Sequence, residues 1–401
     1  MLTSTAPPVV VLGGGWTAVP VTRSLGAAGI PVYTLGGSDD AVRWSRCCTT
    51  HVPLGREPGM QERWLEWLRG APAGSVILPC EDEGLELIAK NRAMLIELGL
   101  VPFEADDDVL LAMLDKSRTY ELAHDIGIEA PLSFNVHTQD DIAVALERIS
   151  YPCALKPVHS HQFTRHFAGM KAFQVHNDEE MRAALSSTVA IGIEMIATEI
   201  IPGRDDQFFS YYSYIDEDGE PLLHVTKRKL RQHPIWFGSG CFHATDHNPE
   251  AAELGLRFFE GVGIRGLANV EFKRDERDGR LKLIECNHRF TAATGLLREA
   301  GMDLPLFVYN KLTGRPLPPV DRYRPGMTMW YPMRDIRAFN AYRGHGEMSL
   351  LPWLRSIVRR HHFPVASLSD PRPVLANQLR LTTRVRRALH RRKARRNLPG
   401  R

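Results

Sequence analysis

The chain has 401 residues, 43% of them hydrophobic and 24% charged, with a formal net charge of +3. That length exceeds what one ordinary core organises and predicts two or three domains; the composition is that of a globular protein, and no apolar run reaches the length of a bilayer span. The opening MLTSTAPPVVVLGGG lacks a basic n-region, so a signal peptide is not expected. Six cysteines are present without a C-x-x-C pair, which argues against a zinc ribbon or a redox motif and favours a reducing, cytoplasmic setting. From Arg384 to Arg401 there are nine Lys or Arg and no acid, so the basic balance belongs to this tail and the rest of the chain is net acidic.

In chain order, PVVVLGGGW reads as a buried parallel strand entering a glycine turn. A helix over 18–28, stopped by Gly29, and the strand IPVYTL complete a βαβ opening. SVILPCEDEGLELIAKNRAMLIELG repeats the pattern, with a strand over 76–78 and a helix ending at Gly99. Residues 1–105 are thus expected to form an open parallel α/β layer. An acid-led helical stretch follows, bracketed by Gly127 and Pro131. The strand YPCALKPV carries Lys156, and Asn177 caps a helix over NDEEMRAALSS. Strands with turns at Pro202-Gly203 and Asp218-Gly219 come next, then the helix PEAAELGLRFFEGVGI and the hairpin LANVEFKRDERDGRLKLIECNHR. This α+β block spans about 106–318. Residues 319–383 are expected to pack on it, and 384–401 to be a disordered basic tail.

The hairpin carries the strongest chemistry. Glu285, Asn287 and Arg289 alternate along one strand and share a face. A two-residue turn at Asp278-Gly279 would place Glu271 opposite Cys286, on the other face from Glu285, whereas a three-residue loop over 277–279, with Gly279 left-handed, places Glu271 directly opposite Glu285 and Lys273 opposite Leu283. Opposed carboxylates about 5 Å apart at Cβ repel unless a cation joins them, and Mg²⁺ prefers carboxylate and amide oxygens, which Glu271, Glu285 and Asn287 offer. Arg289 then reaches the anion beside the metal with its planar fork of donors. Lys156 sits among small apolar residues, where lysine either snorkels out or meets an anion. Lys116 opens a helix, where the dipole disfavours a cation. TEIIPGRDDQF suits a crossing between lobes, at which main-chain groups meet a flat base and Asp206 a ribose.

Together these residues resemble the ATP-grasp superfamily over about 100–318: Lys116, Lys156, the hinge Glu199 with Ile201, then Glu271 and the E-x-N-x-R strand Glu285-Asn287-Arg289. The ordered set is more specific than any one motif, and the Glu271–Glu285 spacing is similar to that of the carbamoyl-phosphate-synthase-like branch. The resemblance implies an N-terminal pre-ATP-grasp α/β domain before a two-lobed ATP-grasp fold, with lobes over 106–190 and 191–318. It implies ATP with Mg²⁺ or Mn²⁺: Lys116 and Lys156 on the phosphates, Glu199 and the Ile201 backbone on adenine, and Glu271, Glu285 and Asn287 on metal. It implies small carboxylate and amine substrates, the carboxylate being phosphorylated and the amine attacking the acyl phosphate. Arg289 is the first candidate for stabilising the transferring group, with Arg228 and Arg231 as second candidates. The loop after Lys156 departs from the usual glycine-rich flap, keeping only Gly169; His159, His161, Arg165 and Lys171 are its candidate donors.

Two other readings compete. Gly13, Gly15 and Ala18 fit G-x-G-x-x-A after a strand, the dinucleotide fingerprint of an NAD(P)-binding oxidoreductase, although Asp39 and Asp40 fall late for its ribose acid. The basic tail offers a non-enzymatic reading, docking on an anionic membrane surface or a polyanion.

Overall fold

The computed structural model describes residues 6–55, 58–158, 163, 166–167, 172–320 and 322–376. The loop donors His159, His161, Arg165 and Lys171, with Gly169, and the tail 384–401 lie outside the described residues. The first sheet is parallel: β1 (Val9–Leu12), β2 (Val32–Gly36), β3 (Thr50–Pro53), β4 (Val76–Pro79) and β5 (Val101–Pro102), in the order β3-β2-β1-β4-β5. Val9, Val10, Val11 and Leu12 are all buried, as expected for a strand covered on both faces. Strand order reverses at β1, which opens a crevice at the carboxyl ends of β1 and β4.

A four-stranded antiparallel sheet follows, ordered β6-β9-β7-β8, from β6 (Ser133–Val136), β7 (Cys153–Pro157), β8 (Phe173–Val175) and β9 (Met195–Glu199). The helix Gln139–Arg148 starts from a Thr138/Asp141 capping box, and Asn177 caps the helix Asp178–Val189. The six-stranded antiparallel sheet contains β10 (Phe208–Ile215), β11 (Pro221–His233), β12 (Ser239–Asp246), β13 (Gly266–Arg274), β14 (Leu281–Asn287) and β15 (Thr328–Trp330). Their order is β14-β13-β10-β11-β12-β15. Strand β10 is buried throughout. Phe209 and Tyr211 join a core with Phe258 and Phe259 of the helix Pro249–Val262, which leaves Phe208, Ser210 and Tyr212 to the other face.

The hairpin reaches the expected opposition by a different route. Arg274 pairs with Leu281, Lys273 with Lys282 rather than Leu283, and Phe272 with Leu283. The loop over 276–279 is closed by the Asp275 N–H on the Arg280 carbonyl, with Gly279 left-handed at φ 74°. Ile284 is then skipped, and Glu271 faces Glu285. This bulge is stabilised from outside: the Leu283 N–H donates to the Glu129 carbonyl at 2.8 Å, and the Tyr120 hydroxyl donates to the Ile284 carbonyl at 2.9 Å. A longer loop and a bulge offset each other.

After residue 320, β15 extends the large sheet and the helices Pro332–Gly344 and Leu350–Ile357 pack outside it. Asp335, fully buried, accepts from Arg231 at 2.5 and 2.8 Å and from the indoles of Trp330 and Trp353 at 2.9 and 3.0 Å. Asp370 ties the end of the described chain to the first layer through Arg23 and Ser45. No helix among the described residues is long and apolar enough to cross a membrane.

Candidate active site

A cavity of about 650 Å³ lies between the four-stranded sheet, the inner face of the six-stranded sheet and the crevice beyond β1 and β4. Strand pairing assembles its floor in rows. Glu285 faces Glu271, Glu271 faces Ser210, and Ser210 faces Lys227. In the adjacent row Lys273, Phe208, Lys229 and His243 are successive partners, and beyond the first row lie Asn287, Asn269 and Tyr212. Directly paired residues share a face, so these side chains converge.

The floor is a charge network. Lys229 Nζ lies 2.7 Å from Glu271 Oε1 and 3.9 Å from the Phe208 ring centroid, while Lys227 Nζ donates to Ser210 Oγ at 2.8 Å. Burial would raise the Glu271 carboxyl, but Lys229 and Lys227 outweigh it and hold Glu271 below the ordinary range. Burial pushes Lys227 down to about 8, and Lys229 adds to the effect against the pull of Glu271. Lys156 is pushed down to about 8 by burial and then by Lys116. Burial, reinforced by Lys227 and Lys229, keeps His243 neutral, and its buried Nδ1 has no hydrogen-bond partner.

Most of the expected residues meet here. Lys116, Lys156, Glu199, Ile201, Glu271, Glu285, Asn287 and Arg289 all line the cavity. Lys116 opens the helix Lys116–Asp125, whose cap Asp115 accepts from the N–H groups of Ser117 and Arg118. Lys156 comes from β7 on the opposite wall. Glu199 accepts the Leu132 N–H and pairs with Arg277 at 2.5 Å, and the Ile201 carbonyl holds Lys273 Nζ at 2.8 Å. Arg289 pairs with Asp82 at 2.5 Å across to the first layer. Among the described residues no group of three His, Cys, Asp or Glu forms a ready-made metal cluster; the oxygen donors are two carboxylates and an amide.

Three expected residues do not line it. Arg228 alternates with Lys227 and Lys229, so it points to the other face, stacking 5.5 Å from Phe209 and pairing with Asp206 at 3.5 Å. Asp206 is engaged there, away from the cavity. Arg231 shares the parity of Lys229, but a bulge between them reverses its face and sends it into the ion pair with Asp335. The lysines on either side of Arg228, Lys227 and Lys229, line the cavity and are the residues that sequence reading missed. The signal lay in TKRKLRQ, where Lys227 and Lys229 alternate in step with each other and out of step with Arg228. Tyr331 and Arg334 also line the cavity, with Arg334 Cζ 5.5 Å from the Tyr331 ring centroid.

The glycine turn is filled by the chain itself. The Gly15 N–H donates to Glu81 Oε1 at 3.2 Å, and a Cβ on Gly13 would lie 2.6 Å from Glu81 Cγ. A Cβ on Gly14 would lie 2.0 Å from Asp40 Oδ2. Carboxylates stand where a pyrophosphate would need N–H donors. Titrating the protein into NADH is therefore expected to give no saturable change in nicotinamide fluorescence; a saturable change would reopen the dinucleotide reading.

No protein-family model matches the chain. It is 27% identical over 242 residues to the D-aspartate ligase of Enterococcus faecium (strain Aus0004), a match covering 58% of this chain and 57% of that ligase. The chain spans about half the length of the first curated relatives it matches. The L-amino acid ligase from Bacillus licheniformis superposes with a TM-score of 0.60 at 16% identity, covering 81% of this chain and 79% of that one. The biotin carboxylase domain of the Hydrogenobacter thermophilus 2-oxoglutarate carboxylase, solved with MgADP, gives 0.60 at 18%, covering 79% and 72%. The fold is the two-lobed one these solved proteins share, and the resemblance to the ATP-grasp superfamily extends from the sequence to the fold.

Proposed function

We propose that this protein is an ATP-dependent carboxylate–amine ligase. The observation that carries the reading is the single cleft in which Lys116 and Lys156 face the Glu271–Glu285 pair. It is supported by similarity to a D-aspartate ligase and by the fold of an L-amino acid ligase and an MgADP-bound carboxylase domain. In the reaction a carboxylate oxygen takes the γ-phosphoryl group of ATP and ADP leaves. The amine nitrogen then attacks the acyl carbon, phosphate departs, and the amine proton passes to solvent or a nearby base. The lysines hold and neutralise phosphate oxygens, Glu199 and the Ile201 backbone flank the base, and Arg289 reaches the transferring group. Glu271, Glu285 and Asn287 fit the donor set of Mg²⁺ or Mn²⁺, which when bound neutralises phosphate charge. Arg334 makes no ion pair among the described residues, which supports its taking a substrate carboxylate, as an amino acid amine would bring. Asp206 would need to leave Arg228 to meet a ribose, and we leave it out of the site.

The division into an N-terminal unit over 1–105 and lobes over 106–190 and 191–318 belongs to this reading, supported by the separate five-, four- and six-stranded sheets. So do a cytoplasmic setting, where ATP is supplied, and recruitment of the basic run 384–401 to an anionic surface. The direct test is phosphate release with MgATP across a panel of carboxylates and amines. Release that requires one carboxylate and one amine together is expected; release indifferent to every pair overturns the reading.

A pH dependence follows. Lys156 and Lys227, both near 8, are cationic below that pH and lose charge above it. The kcat/KM for ATP is expected to fall as pH rises through about 8 and to hold below it, until acid-side groups titrate. Lys227→Arg keeps its charge and should make the falling limb shallower, leaving Lys156 to set its position; a limb of unchanged steepness would remove Lys227 from the phosphate site.

A further inference from the structure

We propose that the helix Leu350–Ile357 seats this protein on the surface of an anionic lipid bilayer. The helix buries none of its residues fully, yet it is firmly held. Trp353 stacks on Phe339 with centroids 4.5 Å apart and donates to Asp335, and Ser356 Oγ accepts from Arg231. Those contacts fix which side faces out. On that side Leu351 is 66% exposed and Val358 79%, with Leu350 and Leu354 also exposed. At 100° per residue these four positions fall within an arc of about 100°, a coherent apolar stripe rather than scattered residues. Met333 and Ile336, on the neighbouring helix Pro332–Gly344, are exposed as well.

The flanks decide what covers the stripe. From Met348 to Ser369 there is no acid, while Arg355, Arg359 and Arg360 are all exposed. Apolar side chains beside exposed arginines are the pattern of a helix lying in the headgroup plane of an anionic bilayer. The chain's own 384–401 segment carries nine Lys or Arg and no acid, a composition attracted to the same anionic surface. A second copy meeting the first across this face would set arginines against arginines. A nucleic acid would satisfy the charge but leave the leucines without a role.

The test is co-sedimentation of the full chain with phosphatidylglycerol/phosphatidylcholine vesicles, alongside phosphatidylcholine alone. Binding to the anionic vesicles is expected, and Leu351→Glu with Leu354→Glu should lower the vesicle partition coefficient by about tenfold or more. Far-UV circular dichroism and ATP turnover should stay unchanged. Deleting 384–401 should weaken binding without abolishing its dependence on the leucines. Vesicle binding by the double variant equal to the parent overturns the proposal. So does a dimer in solution that the substitutions split, or a loss of heparin binding alone.

Discussion

Glu285→Gln is expected to lower ATP-dependent ADP release by about 10²–10³-fold, the scale seen when one preorganised electrostatic contact to a transition state is removed. The substitution is nearly isosteric, and Glu285 is exposed to the cleft rather than packed in the core, so folding should be retained. What changes is charge. Glu271 is already engaged by Lys229 and Ser210, so Glu285 is the less committed half of the opposed pair. Without it the donor set keeps one carboxylate and two amides, a weaker partner for a hard divalent cation. Weaker Mn²⁺ binding, followed by electron paramagnetic resonance in the presence of ADP, gives a readout separate from turnover. Lys156→Ala should also suppress turnover, through a raised KM for ATP. Arg228→Ala should leave turnover unchanged, since Arg228 is occupied with Asp206 on the other face. Near-normal turnover in Glu285→Gln would detach the opposed carboxylates from catalysis.

The elements that hydrophobic period and turn chemistry encode were legible. The βαβ opening, the Asn177 cap and the left-handed Gly279 follow from local physics, and so does the shared face of Glu285 and Asn287. What sequence hid was every irregularity that shifts register by one residue. In the hairpin a three-residue loop leads to the observed Glu271–Glu285 opposition, but the molecule uses a longer loop and skips Ile284. That bulge depends on Glu129 and Tyr120, which are far away in sequence and invisible to a local reading. In β11 the same kind of event turns Arg231 away from the cleft and into its buried pair with Asp335. Arginine looks like the stronger anion ligand by residue type, whereas position favours Lys227 and Lys229. Trp330, Asp335 and Trp353 converge only because β15 adds to β12, a pairing that no local pattern in that Pro-rich region announces.

That convergence makes the second large effect one of stability. Asp335→Ala should destabilise the protein by about 3–5 kcal/mol, the cost of leaving a buried charge without its partner. The Arg231 and Asp335 side chains are 5% and 0% exposed, and the two indole N–H groups lose their acceptor as well. Arg231 retains only the Ser356 hydroxyl and the Phe242 face, with Cζ 4.1 Å from that ring centroid. Converting both members to apolar residues, Asp335→Leu with Arg231→Met, should recover much of the loss, because it removes the uncompensated charge instead of exposing it. Chemical denaturation of the two variants measures the difference, and turnover per folded molecule separates structure from chemistry. If Arg231 only braces the C-terminal helices, the double variant keeps substantial turnover. If Asp335→Leu with Arg231→Met folds like the parent yet has no turnover, Arg231 belongs to the active site after all, and its observed ion pair is a resting position from which it must swing into the cleft.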